Sequence, residues 1–95
     1  MTTHITFRDA AQFGGASIPS KPRASETMTE SGASAQTTIT ARLGEICRIT
    51  ATVDIMVNYG ANPTAAVGFG DMVTAGGSID IGPMSAGDKV AIITA

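Results

Sequence analysis

Ninety-five residues carrying a net charge of −2, with only 15% charged side chains, make one small domain with a thin core, because a chain this short buries about 60–65% of its unfolded surface. This balance has no basic footprint for nucleic acid or an anionic membrane, and no apolar run approaches the ~18 residues that cross a bilayer. The N-terminus lacks the basic flank and apolar block of a secretory leader, so synthesis and folding in the cytosol are expected.

Residues 3–9, THITFRD, alternate with Ile5 and Phe7 on one side and His4, Thr6 and Arg8 on the other, which describes a short strand. From 10 to 35 the composition turns to Gly, Ser, Pro, Thr and Ala, and Gly14, Gly15, Pro19 and Pro22 break any regular pattern. This stretch reads as an extended arm, and the apolar residues Phe13, Ile18 and Met28 spaced along it suit anchors against a neighbouring subunit, with packing against its own domain and a flexible tail as the alternatives. Its removal is expected to leave the remainder folded. Residues 37–43, TTITARL, alternate again, with Gly44 and Glu45 as a turn into the next strand and hence a candidate hairpin.

The organising stretch is CRITATVDIMVNYGANPT, residues 47–64. Every second position from Cys47 to Tyr59 is apolar, and the interleaved series Arg48, Thr50, Thr52, Asp54, Met56, Asn58 is mostly polar. Period two with β-branched residues on one face is an extended chain with one side buried. Unbroken, it would be about 40 Å long, so a bend near residues 52–54 is expected, giving two strands or one sharply bent strand. Gly60 and Pro63 end the run in a loop. The glycines around Phe69 mark a bulge or close backbone approach in a short irregular strand. Ile79 and Ile81 give another short strand, Ser85–Asp88 a β-turn, and residues 89–94, KVAIIT, a largely buried final strand.

These patterns predict an all-β fold without helix: a small antiparallel β-sandwich or jelly-roll-like barrel (36–95) preceded by an N-terminal strand and extended arm (1–35). The expected core is Ile39, Leu43, Ile49, Val53, Ile55, Val57, Ile79, Ile81, Val90 and Ile92. Convergent chemistry is scarce. His4 is the one histidine, short of the three or four ligands a metal needs. Cys47 has no disulfide partner and belongs to the core-facing series, where burial raises a thiol pKa rather than activating it. Asp71, Asp80 and Asp88 match no calcium-loop spacing, and the glycine clusters precede no helix that would cradle phosphate. Neither enzymatic activity nor a cofactor is expected.

The string Tyr59-Gly60-Ala61-Asn62-Pro63-Thr64-Ala65, together with Gly87-Asp88-Lys89, the opening HITF and the central RITAT, resembles the small jelly-roll head-decoration (cement) and minor structural proteins of tailed bacteriophages. The likeness covers roughly 55 of the 95 residues, and none of its motifs carries chemistry. It implies a virion protein on the exterior of a phage head, made in the host cytoplasm, homotrimeric, and bound to the major capsid protein, with no catalytic, cofactor or metal residues. The residues expected to meet capsid or sister subunits are Ile5, Phe7, Phe13, Ile18 and Met28. A minor tail or fibre component that binds a host glycan or another tail protein is the alternative.

Overall fold

The computed structural model describes residues 2–13 and 16–95, with side chains described for 2–8 and 22–95. Eight strands are present: β1 (Thr2–Phe13), β2 (Ala16–Thr29), β3 (Ala35–Gln36), β4 (Ile46–Ala51), β5 (Ile55–Gly60), β6 (Asp71–Val73), β7 (Ser78–Ile81) and β8 (Lys89–Thr94), with no helix among the described residues. They form two antiparallel four-stranded sheets, ordered β2-β1-β4-β7 and β3-β8-β5-β6. Apart from β1 to β2 and β5 to β6, each connection carries the chain from one sheet to the other. The order is that of a jelly roll in which β1, at the start of the chain, takes the place between β2 and β4 that a strand following β8 would otherwise fill.

The long alternating stretch is divided as its length requires. β4 lies in the first sheet and β5 in the second, with residues 52–54 crossing between them. One alternating series keeps facing inward through the crossing: Cys47, Ile49 and Ala51 from β4, then Ile55 and Val57 from β5, are all buried. Facing rows complete the core. In the first sheet Phe7, Cys47 and Ile81 stand side by side, as do Ile5, Ile49 and Ile79. In the second, Val57 pairs with Ile92, and Ile55 with Val73. Ile55→Asp is expected to abolish soluble folding, since it leaves an unpaired charge in the middle of this thin core. Soluble Ile55→Asp protein with the parent's far-ultraviolet circular dichroism would refute the inward assignment.

Three expectations are corrected. Residues 37–43 are neither a strand nor a hairpin partner of β4. They run along β8 in the other sheet, with Thr37 N–H donating to the Val90 carbonyl (2.8 Å) and Ala41 N–H to that of Asp88 (2.7 Å). Alternation reveals which side of a strand faces inward but is silent about the neighbour. Leu43, expected in the core, is 80% exposed, because the chain has already turned: Gly44 N–H donates to the Met84 carbonyl and Glu45 N–H to that of Arg42. The arm, finally, is mostly strand. β2 pairs with β1 from Thr2↔Thr29 to Phe13↔Ala16, with register shifts around Arg8. Pro19 and Pro22 fall at those register shifts of an edge strand, where a missing amide donor is tolerated. Met28 joins the same core cluster as Ile5, Phe7, Ile49 and Ile55, so residues 1–35 and 36–95 do not have separate cores.

The second sheet has a buried outer face as well. Met56 and Ala91 point away from the sandwich yet are buried, beneath the loop that follows β5. Gln36 Nε2 donates to Asn62 Oδ1 (2.8 Å) and to the Pro63 carbonyl (2.7 Å), Asn58 Nδ2 to the Thr64 carbonyl (3.3 Å), and Ala65 N–H to Ser34 Oγ (2.9 Å). The string Tyr59–Ala65 is thus a strap over β8 and β5.

Candidate functional site

Of the five residues expected to meet a partner, three are occupied within the chain. Ile5 and Phe7 are fully buried and Met28 nearly so, because the alternating face of β1 that carries Ile5 and Phe7 is turned into the sandwich. They are core residues, not contacts. For Phe13 and Ile18 the backbone alone is described: Phe13 pairs with Ala16, and Ile18 with Ala11.

The polar groups of β2 and the segment after it do structural work that the sequence did not announce. Glu45 is completely buried. Its carboxylate receives Arg23 Nε at 2.6 Å and Arg23 Nη2 at 2.8 Å, a two-point charge-assisted pair, and also Arg42 N–H at 2.7 Å. The Arg23 guanidinium holds the Glu45 carboxyl below the usual carboxylate range. Glu26 accepts from Thr38 N–H (2.9 Å) and Ile39 N–H (3.0 Å). Glu30 accepts from Thr52 Oγ1 (2.6 Å), Thr52 N–H (3.2 Å) and Thr3 Oγ1 (2.8 Å). Partial burial pushes the Glu30 carboxyl up, but these hydrogen bonds outweigh it and leave it lowered. Each carboxylate satisfies loop amides that no ladder reaches. Together they fasten the β2 edge to residues 37–45 and to the crossing at 52–54.

Candidate chemical groups stand apart. His4 lies on the exposed face of the first sheet with Nδ1 3.3 Å from Thr27 Oγ1. Asp80 pairs with Arg48 across β7 and β4 (2.8 Å), and Asp88 accepts from Ser85 N–H within its turn (2.9 Å). No group of three His, Cys, Asp or Glu side chains that suits a metal occurs among the described residues. The Cys47 thiol is pushed up to about 12 by burial and by the nearby Glu45 and Asp80 charges, so the reactive thiolate is suppressed at neutral pH.

What the molecule presents instead is apolar surface on a locked turn. Phe69 N–H donates to the Ala66 carbonyl (3.2 Å), and Gly68, at the third position, has φ +82°. With positive φ there and not at Val67, the turn is type II, which only glycine or asparagine adopts readily at that place. Gly70 fixes the exit: a Cβ there would sit 2.4 Å from the Val57 carbonyl oxygen, so the backbone is pressed against β5. Val67 and Phe69 are consequently held 67% and 64% exposed, with Met72 at 49% on adjoining β6. No family model, curated protein or solved structure matches the chain. Its functional reading therefore rests on its own residues. The signal for this turn was present as Val67-Gly68-Phe69-Gly70, large apolar residues alternating with glycine, but the same letters suit a bulged strand whose Phe faces inward.

Proposed function

We propose that the protein is a structural subunit of a phage virion, a head-decoration protein that binds and stabilises the major capsid protein lattice. The supporting observation is the jelly-roll strand order, which is the fold that the resemblance of residues 59–65 and 87–89 implies. A sandwich of this kind serves many functions, so the role of this one is decided by its surfaces. Apolar side chains held out on a tight turn suit burial against another protein. In this reading Val67, Phe69 and Met72 meet the capsid lattice. Ile5, Phe7 and Met28 hold the subunit itself together.

Counting copies on purified particles by quantitative mass spectrometry, with a cryo-EM map of the intact particle, tests the proposal. Hundreds of copies on the head exterior are expected. A few copies confined to the tail would replace it with the minor tail or fibre reading, and absence from the particle would defeat both. Phe69→Ser gives the local test. Because the side chain is mostly in water, the melting temperature should stay within about 2 °C of the parent's, whereas binding to heads stripped of the protein should fall at least about tenfold. Undiminished binding would remove the turn from the contact.

A further inference from the structure

Beyond Arg8 the first sheet narrows to two strands. The ladder of β1 with β4 ends at Arg8↔Ile46, while its ladder with β2 continues through Ala10↔Pro19, Ala11↔Ile18, Gln12↔Ser17 and Phe13↔Ala16. A two-stranded ribbon is marginally stable alone, and each edge of it offers amides and carbonyls that an extended chain in register satisfies. The two edges differ. On β2, Pro19 and Pro22 remove donors and Lys21 adds charge, the devices by which proteins keep edges from pairing. On β1, residues 9–13, DAAQF, contain no proline and a single charge, at Asp9, and they lie directly ahead of the point where β4 stops.

We propose that this edge of β1 pairs, antiparallel and about a two-fold axis at Ala11, with the same edge of a second copy. Register follows from space and charge. β4 occupies the edge as far as Arg8, and the strand ends at Phe13, so among the described residues the places with no ladder partner on that side are 9–13. The pairing that fills all five without running into β4 is centred on Ala11. It sets Ala10 opposite Gln12 and Asp9 opposite Phe13 of the second copy, so no like charges meet. A register centred on Asp9 would oppose two carboxylates and overlap Ile46. Such a contact is isologous and closed, joining two ribbons into one four-stranded sheet and leaving both sandwiches intact. It goes beyond the decoration reading, because it specifies how copies join each other whatever surface they sit on, and it gives a pair where the resemblance implies a trimer.

The test is sedimentation equilibrium on the full chain and two variants, Phe13→Lys and Phe13→Asp, which act twice in a two-fold pair. Wild type is expected to form dimers. Phe13→Lys brings a cation to Asp9 at both ends and Phe13→Asp brings a second acid, so at low salt the lysine variant should dimerise at least about tenfold more tightly. That gap should close in 1 M salt. Asp9→Lys combined with Phe13→Asp should recover the affinity that Phe13→Asp loses. A wild-type monomer at all concentrations, a trimer, or equal dimerisation by the two single variants would each overturn the proposal. Because the measurement uses free protein, its failure is separate from failure of the capsid reading, which rests on copies found on particles.

Discussion

Arg23→Ala should cost about 3–5 kcal/mol at neutral pH, the range for removing one partner of a buried ion pair, and a chain of this size has about 5–14 kcal/mol in total. The reason is the orphan it creates. Glu45 is fully buried and takes two of its hydrogen bonds from Arg23. Arg42 N–H alone would remain, and a single amide does not compensate a desolvated carboxylate. Urea unfolding of the variant and parent measures the loss directly. A cost below about 1 kcal/mol would mean that the pair behaves as a surface ion pair.

The same pair sets the direction of the acid response. In the folded parent the Glu45 carboxyl lies below its ordinary value of 4.5, chiefly through the Arg23 hydrogen bonds, and the Glu30 carboxyl is lowered as well. A depressed folded pKa contributes stability that is fully present above the unfolded value and is lost as pH falls through the folded one. Parent stability should therefore hold from neutrality down to about pH 5 and decline below it. Without Arg23 the sign for Glu45 reverses: burial then raises its pKa, and protonation relieves the orphan charge. The gap between parent and Arg23→Ala should be narrower at pH 4 than at pH 7. An equal gap at both would show that Glu45 is not the group that suffers.

How far the fold was legible depends on how local each signal is. The inward face of Cys47, Ile49, Ile55 and Val57 could be read from alternation, because side-chain direction is a property of consecutive residues. The crossing near 52–54 followed from strand length alone. Partner choice was different: 37–43 kept its alternation as far as Ala41 but bonds to β8, about fifty residues away in sequence, and period two is blind to that. Proline and glycine in 10–35 hid β2, since those residues punctuate loops in general but are tolerated on a sheet edge. The Glu26, Glu30 and Glu45 contacts were hidden for a related reason. A carboxylate looks solvated in sequence, and its partners Thr38, Thr52 and Arg23 lie 12, 22 and 22 residues away. Val67 and Phe69, exposed beside glycines, carried no signal of their direction, and Ile5 and Phe7 were read as contacts although a period-two apolar series marks a core face whether or not a partner exists.

That distinction makes residues 10–35 the place where the two readings of the N-terminal region diverge most. As a detachable arm, the segment could be deleted and leave a folded domain. As found, deleting it removes the whole of β2 and leaves β1 as a bare edge, takes Met28 out of the core, and strips Glu45, Thr38, Ile39, Thr52 and Val53 of side-chain partners. Loss of a buried methionine costs about 2–5 kcal/mol and loss of the Arg23 partner about 3–5, which together match most of the stability available. The truncated protein should be unfolded at 25 °C, with a far-ultraviolet spectrum that has lost its β signature. A smaller change separates ribbon from sandwich: replacing residues 10–20 with Asn-Gly closes the hairpin just past Arg8↔Pro22 with a short loop. That variant retains Arg23, Glu26, Met28 and Glu30 in place, so it should melt within a few degrees of the parent, on the order of 1 kcal/mol, while losing self-association. If the full deletion melts cooperatively near the parent temperature, β2 is dispensable to the core and the detachable-arm reading is right.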